Sequence, residues 1–441
     1  MTALAERRRR RTLAMLAGTL GVLLVVPMLG YVGAKAIANS TGGTDALADN
    51  LPIRPFPSTP TAVLATTDAA GVLSSVTVFV LDPSGVGGTA INVPVTADIG
   101  FADDARQSLR SVHAEGGADA TWPAVESLLV LTINHFREAG AAEVEALLAP
   151  VAPIPVDLPQ PVAAPSVTEA ATPDPESPTG PESTGPDSTD PDATDPDTTE
   201  PEGKDPEETT ETAPADPATT TGETIVAGGP SELDAAAAAT ILTTTSGDQA
   251  ESTRRPNLEA LWAGIAQAVG PGSGAVPAAG APASFDDYMT RWFAGPVRTR
   301  GLSASPLTGD ENPDGLDVEE IPRAEVLLVF GSIAPGAVSP SSPGLVFRLE
   351  APTGYTAEVR RTIAKLLFLG GIVVSVDMTK EPQPNTVFIV PDEINRAEAG
   401  TTNLIFGDFT FAEPTERIDG VDLTVVLGTD YLSTVDLVEE Q

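Results

Sequence analysis

The chain has no cysteine, only two histidines, and 24 lysines and arginines against 62 aspartates and glutamates. Without cysteine there is no disulfide, no thiol nucleophile and no Cys-ligated metal, and the redox compartment is left open. Two histidines do not make a His-rich metal site. The shortage of cations leaves a formal net charge of −38. Such a surface repels nucleic acid and anionic headgroups, which argues against a DNA- or RNA-binding role.

What is present is a long chain of 441 residues, 41% of them hydrophobic, enough for two or three domains with sizeable cores. Residues 7–11 are five consecutive arginines, and Leu13–Ala34 follows without a charge. About 20 apolar residues cross a bilayer core of roughly 30 Å as a helix. Basic residues on the N-terminal flank put that end in the cytoplasm and the bulk of the chain outside. Small-x-small sites at Ala34-Lys35-Ala36 and Ala36-Ile37-Ala38 carry the competing reading of a cleaved signal peptide. The run exceeds the usual signal core of about 7–15 residues, so an uncleaved anchor is the expectation.

Residues 161–223 contain only Asp, Glu, Pro, Thr, Ser, Gly and Ala apart from Val162, Val167 and Lys204. Seventeen acidic residues against one lysine give −16, leaving −22 for the remainder. This segment cannot bury enough apolar surface to order itself. It reads as a disordered insert, with threonines open to glycosylation in an exported protein.

The stretch Thr61–Asp98 reads as three strands, at Thr61–Thr66, Ser75–Leu81 and Thr89–Val95. Asp68-Ala69-Ala70-Gly71 and Asp82-Pro83-Ser84-Gly85 supply the turns. Helices are expected at Asp103–His113, Trp122–Arg137 (Thr121 as cap, or a strand at its centre), Ala141–Leu148, Glu232–Leu242, Asn257–Val269 and Ser284–Phe293. Glu325–Phe330 reads as a buried strand. From about Leu345, alternation of strands with a helix over Thr356–Leu369 predicts a small α/β sandwich.

The three-strand stretch resembles the LytR-CpsA-Psr family of the bacterial envelope. The first strand ends in Thr66-Thr67-Asp68, the second in Asp82-Pro83, and the third runs through Asn92-Val93-Pro94-Val95-Thr96. The close Gly420–Tyr431 is similar to that of the LytR C-terminal domain. The resemblance implies an α/β fold and a phosphotransferase that moves a glycopolymer from a polyprenyl pyrophosphate to the wall. Such a site holds pyrophosphate on several arginines, a Mg²⁺ on aspartates, and the prenyl tail in an apolar tunnel.

Position by position, the match is partial. Asp68 falls on the family's first metal aspartate, and the second falls on Ser74 or Ser75. The motif arginine and aspartate are replaced by Val95 and Thr96. Arg110 and Arg255 match basic positions, and threonines at 243–245 stand where further arginines belong. Three lost contacts at about 1.5–3 kcal/mol each would abolish pyrophosphate binding in that mode.

Blander readings sit beside these. Asp68 suits a turn without metal. His135 reads as a packing residue and His113 as a surface-loop residue. Arg254 and Arg255 could pair with Glu251 or Glu259. Trp262, Trp292 and Phe293 read as core.

The sequence therefore predicts an α/β protein with a basic tail (1–12), a transmembrane helix (13–35), a stalk (36–59), an interrupted domain (60–160 and 225–344) around the acidic insert (161–224), a C-terminal domain (345–432) and a tail (433–441). It would be a cell-envelope binding or accessory module without catalysis and without a cofactor. Its partner would be wall glycan, polyprenyl-linked lipid or another envelope protein. One alternative is an active Mg²⁺-dependent transferase using Asp68, Arg110 and Arg255, with Asp98 standing in for the missing motif aspartate. Another is a wall-spanning adhesive protein whose insert sets its reach, about 200 Å as polyproline II.

Overall fold

The computed structural model describes residues 51–100, 106–163, 224–245, 250–274, 280–339 and 344–435. The expected anchor, Leu13–Ala34, lies outside them, as does nearly all of the acidic insert. Among the described residues, no helix is long and apolar enough to cross a membrane.

The protein is mixed α/β, built on two five-stranded sheets. A short strand, β1 (Ile53–Arg54), precedes the first sheet. That sheet contains β2 (Thr61–Thr67), β3 (Leu73–Leu81) and β4 (Gly88–Val93), which pair antiparallel as the turn chemistry requires. Helix α1 (Leu109–Leu129) leads to β5 (His135–Ala139), which pairs parallel with β2. Helix α2 (Ala141–Leu148) and strands β6 (Ile154–Leu158) and β7 (Val162–Ala163) bring the chain to the insert.

The chain returns in β8 (Thr224–Val226), antiparallel to β7, so the insert begins and ends at neighbouring strands. Its boundaries are narrower than 161–224 for that reason. Strand β9 (Gly229–Leu233) pairs with β6. Helices α3 (Ala235–Thr243), α4 (Glu251–Val269) and α5 (Phe285–Ala294) cover one face of the sheet. Then β10 (Val297–Arg300) adds a parallel edge beside β4, giving the order β10-β4-β3-β2-β5. Strands β11 (Ser305–Pro306) and β12 (Glu319–Glu320) form a small antiparallel pair.

The layer between this sheet and α3–α5 is filled by rings. Phe79 lies edge-on to Trp262 and Trp292, with centroids 5.2 and 5.0 Å away. Tyr288 donates its hydroxyl to the carbonyl oxygens of Phe79 and Pro60. All four side chains are fully buried, as the core reading of the tryptophans requires. Helix α4 runs so close to β6 that a Cβ on Gly264 would collide with the Pro155 carbonyl.

The second sheet comprises β13 (Val346–Pro352), β14 (Ile372–Lys380), β15 (Thr386–Ile389), β16 (Phe409–Ala412) and β18 (Leu423–Val426), in the order β14-β13-β18-β15-β16. Strand β17 (Arg417–Ile418) leaves this sheet to pair parallel with β1. The predicted alternation is present, with helix α6 (Arg323–Ile333) leading into this unit and α7 (Thr356–Phe368) within it. Short helices α8 (Glu393–Ala399), α9 (Asn403–Phe406) and α10 (Thr429–Leu432) complete it.

Three local expectations are corrected. Glu325–Phe330 is helical, within α6. Val326, Val329 and Phe330 face the first core, and Ala324, Leu327 and Leu328 face the second. A helix buried on all sides shows no amphipathic period and reads like a strand. Thr121 caps nothing: α1 runs through it, kinked at Gly117, and its hydroxyl donates to the Gly117 carbonyl. His113 is not in a loop but buried on α1, with Nε2 3.1 Å from Glu138.

Tyr431 on α10 hydrogen-bonds Thr362 on α7 at 3.0 Å, and burial pushes its phenol up to about 12. A raised acid contributes stability that is complete below its unfolded value near 10 and disappears as pH climbs to about 12. Two units correspond to about 3 kcal/mol. Thermal melts should therefore fall steeply across that window. Tyr431→Phe should lose about 1 kcal/mol at neutral pH, with the hydrogen bond, and decline less steeply in alkali. The more deeply buried Tyr288, also raised well above its usual value, keeps the remaining slope.

Candidate functional site

The C-terminal end of β2, the start of β3 and the end of β4 lie together at one end of the first sheet, as their antiparallel register demands. The N-terminus of α1, the C-terminus of α3 and the N-terminus of α4 close over this end. Arg110 comes from α1, and Arg254 and Arg255 from the first turns of α4, which starts six residues before the expected Asn257. Arg110 and Arg255, 145 positions apart in sequence, thus come to the same end of the sheet as Arg254.

Every arginine in this cluster already holds a carboxylate of the chain itself. Glu251 is buried, and its Oε2 accepts from Arg110 at 3.1 Å and from Arg254 at 3.2 Å. Arg254 spends its other donors on the carbonyls of Ser74 (2.7 Å) and Ile241 (3.1 Å), and Arg110 donates through Nε to Leu73. Arg255 pairs with the buried Glu319 on β12, whose second oxygen accepts from the Thr96 hydroxyl at 2.6 Å. A third carboxylate, Asp317, accepts from the Glu251 amide at 3.4 Å, so the three guanidinium groups are matched by three carboxylates. Burial pushes the Glu251 carboxyl up, against the pull of Arg254 and Arg110, and pushes Arg254 down, against the pull of Glu251.

The remaining candidates are committed elsewhere. Asp68 is a turn residue: Oδ1 accepts from the amides of Ala70 and Val72, both at 2.9 Å, and Oδ2 from the Thr245 hydroxyl. Asp98 sits two residues beyond Thr96, accepting from Arg106 at 2.7 Å, with its amide on the Glu319 carbonyl. It does not join the arginine cluster. His135 is half-buried, edge-on to Tyr288, in agreement with a packing role. Arg255 selects Glu319, not Glu259.

The resemblance implies a metal, and the donor set does not fit one. Ser74 and Ser75 are buried with Thr66 in a hydroxyl cluster whose oxygens lie 2.7–2.9 Å apart, closed by the Leu242 carbonyl. These are neutral ligands where a hard dication needs carboxylates. Asp68, at the end of β2, has both oxygens engaged. Among the described residues, no group of three His, Asp or Glu side chains could hold a metal ion.

Glu319 is the residue that reading the chain missed, and Thr96, noted only as a lost motif aspartate, is its hydrogen-bond partner. Glu319 lies in the acidic run Asp317–Glu320, and among 62 carboxylates nothing local marks it. The available signal was indirect: a buried arginine requires an anion.

A separate cleft of about 610 Å³ lies between α2 and α5, lined by Leu147, Val151, Met289 and Phe293, with Arg137 at its rim. Arg137 holds Asp286 through both oxygens, which keeps that carboxyl below its usual range, and stacks over Phe285.

No protein-family model matches the chain, and no curated protein matches it. Solved structures similar to it include TagT of B. subtilis (12% identity, TM-score 0.33), covering 62% of this chain and 88% of that one. TagV of B. subtilis is 14% identical over 62% of this chain and 94% of its own, with a TM-score of 0.33. A LytR-CPS2A-psr family protein, YwtF (TagT), solved with bound octaprenyl pyrophosphate lipid, is 11% identical over 61% and 86%, again at 0.33. These values are too low to carry the fold or the activity of those proteins to this chain.

Proposed function

We propose that the protein is a non-catalytic, extracytoplasmic component of the cell envelope, a LytR-CpsA-Psr-like scaffold that binds where its relatives would transfer. The observation that supports this reading is the internal pairing of Arg110 and Arg254 with Glu251, and of Arg255 with Glu319. Each of the three guanidinium groups spends one nitrogen on a carboxylate of the chain, which competes with a pyrophosphate for the same arginines. The aromatic infill of Phe79, Trp262 and Trp292 favours the same reading, because a prenyl chain would compete with these rings for the layer against the sheet. The ligand would be wall glycan, a polyprenyl-linked lipid or another envelope protein.

Purified full-length chain, incubated with a polyprenyl-pyrophosphate-linked glycan and Mg²⁺, should release no polyprenyl phosphate above the buffer rate. Turnover that disappears in both Arg110→Ala and Arg255→Ala would establish the transferase alternative instead. Lipid mass spectrometry of the same preparation separates the binding classes. A stoichiometric polyprenyl species identifies a lipid partner, and an empty protein directs the search to glycan or protein.

A further inference from the structure

The arginine cluster closes one end of the first sheet, and a cleft of about 610 Å³ opens at the other. It forms where the strap of residues 55–60 crosses the starts of β2 and β5. The loop ahead of α5 (Ala281-Pro282), the turn after α6 (Gly336-Ala337) and Asp419 beyond β17 complete its wall. Small-molecule sites span about 300–1,000 Å³, so the cleft has room for a ligand.

The wall is fixed by its own hydrogen bonds. Thr61 donates its amide to Asn134 Oδ1 at 2.9 Å and its hydroxyl to the Thr132 carbonyl at 2.6 Å. His135 donates Nε2–H to the Pro282 carbonyl at 3.1 Å. The strap passes so close to Gly336 that a Cβ there would lie 2.6 Å from the Pro57 carbonyl.

These bonds leave polar groups over. The hydroxyls of Ser58 and Thr132, the amide nitrogen of Asn134 and the carboxylate of Asp419 enter no hydrogen bond or ion pair among the described residues. Thr59 is 4% exposed, and its hydroxyl is buried without a partner. The arginine end shows the reverse, since each arginine there already holds a carboxylate. A stranded hydroxyl beside four unspent polar groups in one cleft marks a site completed from outside.

The lining selects the chemistry of the ligand. It holds no lysine or arginine, so a phosphate or carboxylate would enter a chain of net charge −38 without a counter-charge. An alkyl or prenyl chain would strip water from Thr132, Asn134 and Asp419 and return nothing. A hard cation would meet a single carboxylate. An uncharged molecule with hydroxyls at its edge and C–H groups on its faces satisfies the whole wall. Its hydroxyls meet Ser58, Thr132 and Asn134, and Asp419 accepts from two of them at once. Its faces lie against Phe56, Pro57 and Pro282.

We propose that this cleft binds a short uncharged glycan. The proposal rests on the reading of the chain as a non-catalytic envelope module, and it names the ligand class and the place of binding. The site is remote from the arginines, at the opposite end of β2.

The test titrates the full-length chain with three neutral probes: the tetramers of N-acetylglucosamine, mannose and galactose. Calorimetry is run at low salt and at about 1 M salt, where the Debye length is about 3 Å. At least one tetramer should bind one to one with the same affinity in both. The exposed pair Ser58→Ala/Thr132→Val should weaken it at least about tenfold. Ala281→Trp, which fills the cleft from an exposed position, should abolish it. Silence with all three tetramers overturns the proposal. So does affinity unchanged in both altered chains, which moves the glycan elsewhere and leaves the accessory reading standing. Binding confined to a galacturonate tetramer and lost in high salt overturns the uncharged class. Release of polyprenyl phosphate from the pyrophosphate-linked substrate strikes the non-catalytic reading alone, and the two altered chains still decide the cleft.

Discussion

Arg254→Met should destabilise the first unit by about 3–5 kcal/mol, the cost of breaking a buried ion pair and leaving one charge behind. The Arg254 guanidinium is buried and satisfies three acceptors at once: Glu251, the Ser74 carbonyl and the Ile241 carbonyl. Removing it orphans the start of β3, the end of α3 and a buried carboxylate together. Melting should fall by roughly 2–4 °C per kcal/mol for a unit of this size. The informative comparison is the double variant Glu251→Leu/Arg254→Met. It removes the stranded charge and should recover part of the loss, because Arg110 is half-exposed and can turn to water. If Arg254→Met costs under about 1 kcal/mol, the cluster is solvated and the pairing is incidental.

Neutralising the two carboxylates should open the cluster to outside anions. In Glu251→Gln/Glu319→Gln, the three arginines lose both carboxylates they pair with, and the local balance becomes two charges more positive. Each released charge-assisted contact is worth about 1.5–3 kcal/mol. Inorganic pyrophosphate, measured by titration calorimetry at low salt, should therefore bind at least about tenfold tighter than to the unaltered chain. Equal affinity in the two proteins would mean that Glu251 and Glu319 do not block the arginines, and the case for a closed site would be lost. Circular dichroism of the double glutamine variant checks that the unit is still folded when the titration is made.

Strands β2 to β4 were legible because they are consecutive, alternating and joined by unambiguous turns, whereas β5 was hidden at the end of the expected helix Trp122–Arg137, which stops at Leu129. The edge strand β10 was not legible either, because Val297-Arg298-Thr299-Arg300 is short and polar and becomes a strand only by lying beside β4. Helix α6 was misread for the opposite reason, too much apolarity: two cores share it, so both of its faces are greasy. At the site, Arg110 and Arg255 were picked only by matching basic positions of the family that the chain resembles, and Asp68 could be seen to suit a turn. What Arg255 does there could not, because Glu319 is 64 residues away and Thr96 further still. Local pattern reports which residues are unusual. Only the closure of the sheet end by α1, α3 and α4 decides which charges meet.

The junction of β1 with β17 has a mechanical meaning. The first described strand of the chain is fastened not to the sheet that follows it but to the unit made last, by two backbone hydrogen bonds, Arg417 to Pro52 and Asp419 to Arg54. A pull on the N-terminal end meets these two bonds first. When they yield, the load passes to Phe56, packed against Ile372 and Val421, and to Pro60, whose carbonyl accepts from Leu81 and Tyr288, before it reaches β2, which is held between β3 and β5 on both sides. A weak link in series with a strong one behaves as a fuse. Moderate tension would free the C-terminal unit from the incoming segment while leaving the first sheet intact.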